Sequence, residues 1–266
     1  MSESALSKKL VAAIASRDKK NTIVHLPDTS QTPGATSPVD FSSGDYLSLS
    51  RSPLLRSRFL AALHAAPDIL GSCGSRVIVH NHEHAALEAR LARTFRSPAA
   101  LLFNSGYDAN LSFFACVPQP GDAMLCDESM HASVHDGVQA SRVAPSMRRY
   151  FAHNNVGALR VALRALWDEC PAIREGKSSV FVAVESVYSM NGTIAPLREM
   201  LDTMDEVFPA GNAHMFVDEA HATGLYGPGG HGIVALLGLE DRVLAQLHTF
   251  VKALAASGGG CSKLSI

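Results

Sequence analysis

The feature that most constrains this chain is an alternation of short apolar runs, each followed by polar residues, with stretches of helical period. Ala100–Phe103, Ala123–Cys126, Val180–Val184 and His214–Val217 are apolar runs of strand length. His84–Phe95, a stretch from about Asp108, and Arg198–Val207 carry apolar residues at helical spacing. Strands alternating with helices predict an α/β domain with a mostly parallel central sheet flanked by helices. In such sheets ligands collect at the carboxyl ends of the strands. The polar residues that follow each apolar run are therefore the first places to look for chemistry.

Three strand ends stand out. Ala123–Cys126 leads into Asp127-Glu128-Ser129-Met130-His131-Ala132-Ser133, and Val180–Val184 into Glu185-Ser186-Val187-Tyr188-Ser189-Met190-Asn191-Gly192. His214–Val217 leads into Asp218-Glu219-Ala220-His221-Ala222-Thr223-Gly224, and a fourth cluster, His248-Thr249-Phe250-Val251-Lys252, lies further on. An acid, histidines, small hydroxyls and a lysine at strand ends suit pyridoxal 5'-phosphate (PLP). That cofactor needs a lysine for its aldehyde and a carboxylate for its pyridinium nitrogen. It also needs backbone N–H groups and hydroxyls for its phosphate, best supplied at a helix N-terminus, and a flat group against its ring. Lys252, Asp218, the Ser105-Gly106-Tyr107 turn and His131 are the candidates for these four tasks. Each alone is weak: a lone Asp after a strand is more often a helix cap, and a lone Lys is usually solvated. Their co-occurrence in this order carries the weight.

The chain resembles the α-oxoamine synthase family of PLP enzymes. The matching stretches are DFSSGDYLSLS (40–50), GSCGSR (71–76), HAALEARLA (84–92), LLFNSGYDAN (101–110), DESMHASVHDG (127–137), FAHNN (151–155), VESVYSMNGTIAPL (184–197), VDEAHATGLYGPGGHG (217–232) and TFVKA (249–253). They run through nearly the whole chain in the family's order and are highly specific as a set. The resemblance implies the large domain of a type I PLP-dependent transferase. It implies that Lys252 is the Schiff-base lysine and the base for the substrate Cα proton, and that Asp218 is the pyridinium partner. It implies that His221 bonds the cofactor's phenolic oxygen and that His131 stacks on its ring. Gly106, Tyr107 and Thr249 match phosphate-side contacts, with Ser105 in the same turn. Ser189 falls on a cofactor-contacting serine, and Glu185 matches a family acid. The implied reaction condenses an amino acid with an acyl-CoA, releasing CO₂ and CoA. VESVYSMNGTIAPL, FAHNN and the short N-terminus favour L-alanine and pimeloyl-CoA, in biotin synthesis. A long-chain acyl donor, in a sphingolipid-like or polyketide pathway, is the alternative within the family. The resemblance also implies a homodimer.

The chain departs from the family at several places. It stops fourteen residues after Lys252, so the expected organisation is an N-terminal helix and linker (1–45) and an incomplete PLP-binding large domain (46–266), with the small C-terminal domain absent. On that expectation an inactive product or an interaction subunit is a further reading. The ending GGGCSKLSI drifts from the family pattern. Val251 stands where the family has Gly before the lysine, and a β-branched residue there would strain a backbone that uses a glycine-type angle. Gly44 stands where many members have Asn, and His80 where they have Gly.

Other signals exclude more than they suggest. Net charge of −2 gives no basic surface for nucleic acid. Five cysteines, an odd number without a Cys-x-x-Cys pair, fit a reducing compartment, and cytoplasm is the expected location. The polar N-terminus reads as an amphipathic helix rather than a secretory signal, and no apolar run reaches membrane-span length. Residues 27–39 read as a loop. Ser262-Lys263-Leu264 is like a peroxisomal address but is not terminal. His80-Asn81-His82-Glu83-His84 opens a helix and lacks a second ligand cluster, so no metal is expected. The pattern G-x-G-x-x-G at 227–232 contains Pro228 and reads as a tight turn rather than a dinucleotide site.

Overall fold

A computed structural model describes residues 4–24, 40–67, 69, 74–79 and 81–262. The loop expected at 27–39 and the Gly/Ser segment around Cys73 lie outside them. The chain divides into two compact units, residues 1–42 and 43–266. The first contains helix α1 (Ala5–Lys19), opened by Ser4, whose hydroxyl accepts from the Ser7 amide. The second runs α2 (Pro53–Ala65), α3 (His82–Thr94), β1 (Ala100–Phe103), α4 (Gly106–Cys116), β2 (Ala123–Asp127), α5 (Ala132–Ala140) and β3 (Arg148–Phe151). It continues with α6 (Val156–Glu169), α7 (Pro171–Arg174), β4 (Val180–Glu185), α8 (Leu197–Val207), β5 (Ala213–Asp218), α9 (Ile233–Leu237), β6 (Ala245–Thr249) and β7 (Gly259–Ser262).

The strands form one sheet in the order β1-β7-β6-β5-β4-β2-β3. β3, β2, β4, β5 and β6 are parallel neighbours, whereas β7 lies antiparallel between β1 and β6. This is the mostly parallel α/β sheet expected from the alternation of elements. β2 and β4 are buried along their whole length, because helices cover both faces, so they read as continuous apolar runs. Alternate residues feed two cores. Leu125, Val182, Val184, Met215 and Val217 pack with Leu159 and Leu163 of α6 and Met200 and Met204 of α8. Met124, Cys126, Ala183, Phe216 and Leu247 pack with Phe113 and Phe114 of α4 and Val134 and Val138 of α5. α8 buries Leu197, Met200, Leu201, Met204 and Val207, one face at three- and four-residue spacing.

Two departures have structural answers. GGCS, in the ending that drifts from the family pattern, is a fully buried strand, β7. Glycine is needed there: a Cβ on Gly259 would lie 2.8 Å from the Gly106 nitrogen. Strain at Val251 is not found, since Val251 is not among the residues with positive φ.

Candidate active site

The carboxyl ends of β4, β5 and β6 and the N-termini of α4 and α5 meet around a cavity of about 210 Å³. Ser105, Gly106, Tyr107, His131, Glu185, Asp218, His221, Thr249 and Lys252 line it. Nine of the ten residues expected from the sequence are thus brought together. Ser189 is not among the lining residues; it is exposed in the turn after β4, where its backbone N–H helps hold the Glu185 carboxylate. Asn110, Ser133, Ala220 and Val251 line the cavity without having been expected there.

The fold explains this convergence. Parallel pairing puts Glu185 and Asp218 side by side at the ends of β4 and β5. Both are buried, and burial raises both carboxyls above their ordinary values, Glu185 to about 8. Burial is the first cause for Glu185 and the Asp218 charge the second; the backbone N–H of His131, the Lys252 ammonium and the Ser189 N–H oppose them. For Asp218 burial is opposed by the Asn110 amide, the Ala220 N–H, Lys252 and His131. Asp218 accepts from the Asn110 side chain at 2.9 Å and from the Ala220 N–H at 2.9 Å. Asn110 is itself buried on α4 and also donates to the Ser133 hydroxyl at 3.0 Å, and that hydroxyl lies 2.7 Å from His131 Nδ1.

Two histidines flank the acid. His131 caps α5, its Nδ1 accepting from the Ser133 N–H at 3.2 Å. His221 sits three residues after Asp218, with Nδ1 2.8 Å from the hydroxyl of Tyr46. Burial, then the charges of Lys252 and His131, lower its pKa to about 4, so the ring is neutral near pH 7. Tyr46 lies in DYLSLS, a stretch the sequence marks without giving this residue a task. Lys252 is half-buried, and Gly44 lies against its stem: a Cβ on Gly44 would be 3.2 Å from Lys252 Cγ.

At the opposite wall Ser105 caps α4 through the Asp108 N–H at 3.0 Å, and its hydroxyl donates to Asp108 Oδ2 at 2.8 Å. Gly106 is the first residue of the helix. A Cβ there would meet Thr249 Cγ2 at 2.1 Å, so only glycine lets the helix end approach Thr249 this closely. Tyr107 donates its hydroxyl to Asp136, whose bond raises the phenol pKa, and its ring meets His131 edge-on.

This donor set fits PLP. A helix N-terminus beside a threonine suits a dianionic phosphate. A buried carboxylate whose pKa is raised, with capacity for further donors, suits a cationic pyridinium N–H. Among the described residues no group of three His, Cys, Asp or Glu is placed to hold a metal. Among the described residues Cys116, Cys126, Cys170 and Cys261 are free, and no helix is long and apolar enough to cross a membrane.

Comparison with known proteins agrees with this geometry. Residues 36–263 match the family model of class I and II aminotransferases. An 8-amino-7-oxononanoate synthase of Emericella nidulans is 48% identical over 226 residues, 84% of this chain and 54% of that protein. An aminoacyl transferase sphA of Aspergillus fumigatus is 44% identical over 83% of this chain and 47% of its own length. Among solved structures, a serine palmitoyltransferase variant with PLP superposes with a TM-score of 0.71 at 31% identity, over 83% of this chain and 52% of that one. The chain belongs to the class I and II aminotransferase family, in its PLP-dependent α-oxoamine synthase branch. It spans about half the length of the curated relatives it matches.

Proposed function

We propose that the cavity binds PLP and that the protein condenses an amino acid with an acyl-CoA, releasing CO₂ and CoA. The observation that carries this reading is the meeting of Lys252, Asp218, His131 and His221 on one cavity at the strand ends. When bound, PLP supplies an electron sink for the pair left at the substrate Cα. The chain's own residues do the rest. Asp218 would accept the pyridinium N–H and favour the cationic ring. His221, neutral at pH 7, offers a ring N–H to the phenolic oxygen, with Tyr46 fixing its orientation. His131 would lie against the ring face. The N-terminus of α4 and Thr249 hold the phosphate, with Ser105 and Tyr107 beside them. Lys252 Nζ would hold the cofactor through its aldehyde and would accept the substrate Cα proton. Glu185, with its raised pKa, keeps a proton next to Asp218 instead of adding a second negative charge.

L-Alanine and pimeloyl-CoA, and with them biotin synthesis, are favoured by the likeness to the Emericella synthase. A long-chain acyl donor is the second reading, supported by the likeness to sphA and to serine palmitoyltransferase. An apolar groove of about 760 Å³, lined by Leu49, Leu55, Phe59 and Leu254 with Arg51 and Arg56, begins two residues beyond Lys252 and suits the acyl chain and the phosphate-bearing CoA of an acyl-CoA. CoA release measured against acyl length separates the two donors. Homodimerisation, the organisation the family implies, belongs to the same proposal.

The test is chemical. Purified protein is mixed with PLP, reduced with borohydride and digested, and the modified peptide is mapped by mass spectrometry. One pyridoxyl adduct, on Lys252, is expected. Adducts scattered over surface lysines, with Lys252 unmodified, would overturn the assignment.

A further inference from the structure

We propose that Asn110 and Ser133 are positioning residues that carry the polarity of the Asp218 carboxylate to His131 and fix that ring as the tautomer protonated at Nε2. The inference deepens the cofactor-site reading and rests on it for what the ring does; the hydrogen-bond chain stands on its own geometry.

Three links define the chain. Asn110 Nδ2 lies 2.9 Å from Asp218 Oδ2 and 3.0 Å from Ser133 Oγ, so its two amide protons have one acceptor each. Turning the amide over would set Oδ1 against a buried carboxylate, two acceptors face to face, so the charge on Asp218 decides the orientation. Asn110 Oδ1 is buried without a partner, a cost the amide bears in the orientation that satisfies Asp218. Ser133 Oγ, having accepted from Asn110, has its own proton to give, and His131 Nδ1 lies 2.7 Å away. The Ser133 N–H points at the same nitrogen from 3.2 Å. Two donors converge on Nδ1, so it holds its lone pair and the neutral ring carries its proton on Nε2. Asn110 and Ser133 are both essentially fully buried, so water does not compete for these bonds. The ring thereby presents a donor at its far nitrogen, and its direction is set by the same carboxylate that serves the pyridinium.

The readout is the ¹⁵N chemical shifts of the histidine ring nitrogens in cofactor-free protein, at a pH above the imidazole range, with His131 assigned from a His131→Gln spectrum. A single tautomer is expected in the unsubstituted protein, with Nδ1 shifted as an unprotonated nitrogen and Nε2 as a protonated one, and with a slowly exchanging Ser133 hydroxyl proton coupled to Nδ1. In Ser133→Ala and in Asn110→Ala the minor tautomer should rise about five- to tenfold, the equivalent of one net hydrogen bond, while the other histidines hold their shifts. A mixture or an Nδ1–H ring in the unsubstituted protein would overturn the inference, as would folded variants whose His131 shifts do not move. If neither variant folds, the tautomer and the Ser133 hydroxyl proton of the unsubstituted protein decide. A Lys252 adduct with an unbiased His131 sinks this inference alone; a biased His131 with no Lys252 adduct sinks the cofactor reading alone.

Discussion

At the end of β2 and at the end of β5 the chain places a buried aspartate, with histidines nearby, yet the two ends have different fates. Asp127 is closed. Its Oδ1 accepts from His153 Nδ1 at 2.9 Å and from the Ser129 N–H at 2.9 Å, and its Oδ2 accepts from the Asn154 N–H at 2.8 Å. His153 is tied in turn to Thr193 Oγ1 at 2.8 Å, and its ring meets Tyr188 edge-on at 4.4 Å. Asp218 has two donors, a raised pKa and a cavity in front of it. One aspartate is spent on holding strand ends together; the other keeps capacity for a cation. A buried acid whose hydrogen bonds are incomplete is thus a stronger functional signal than the residue type or its place after a strand.

The largest break in this comparison should come from Asp127→Asn, which puts an amide donor among groups that all donate. A stability loss of about 3 kcal/mol is expected in urea unfolding; a loss under about 1 kcal/mol would remove the structural role assigned to Asp127. Gly106→Ala comes next. Its Cβ must displace the Thr249 methyl, at a cost of about 1–3 kcal/mol, and Thr249→Ser in the same chain should recover part of it. Glu185 sharpens the comparison through pH. Its folded-state pKa of about 8 stands above the ordinary 4.5. The fold holds that proton more tightly than the unfolded chain does. Its contribution to stability is therefore complete below about pH 4.5 and is lost as pH rises toward 8. Melting temperatures measured across that window should show a flatter pH dependence in Glu185→Gln. The smallest effect is expected from Val251→Gly, a loss of about 0.5–1 kcal/mol from added chain freedom. A gain in stability would mean that Val251 is strained after all.

Much of this was legible in the residues. Fully covered strands read as unbroken apolar runs, and the polar residues after them fall at the sheet's carboxyl edge, so Asp218, His131 and Lys252 could be singled out from position and chemistry. β3, β6 and β7 were not legible as strands. RRYF pairs arginines with aromatics, AQLHT mixes polar and apolar residues although every one is buried, and GGCS has no strand propensity at all. Gly259 in β7 leaves room for the Gly106 nitrogen at the start of α4, a constraint set by a residue more than 150 positions away. Asn110 reaches Asp218 across 108 positions, and no local pattern announces such a contact. Ser189 shows the converse: matching a motif does not put a side chain in the cavity.

The most direct test of the asymmetry is thermal melting of Asp218→Asn, with and without PLP, beside the unsubstituted protein. Asp218→Asn sets an amide NH₂ against the Asn110 amide or the Ala220 N–H, but removing a buried acid of raised pKa offsets part of that cost, so the cofactor-free variant should lose less stability than Asp127→Asn. PLP should raise the melting temperature of the original protein and leave that of the variant unchanged. A variant that PLP stabilises as much as the original would contradict the role given to Asp218 and, with it, the distinction between the two strand ends.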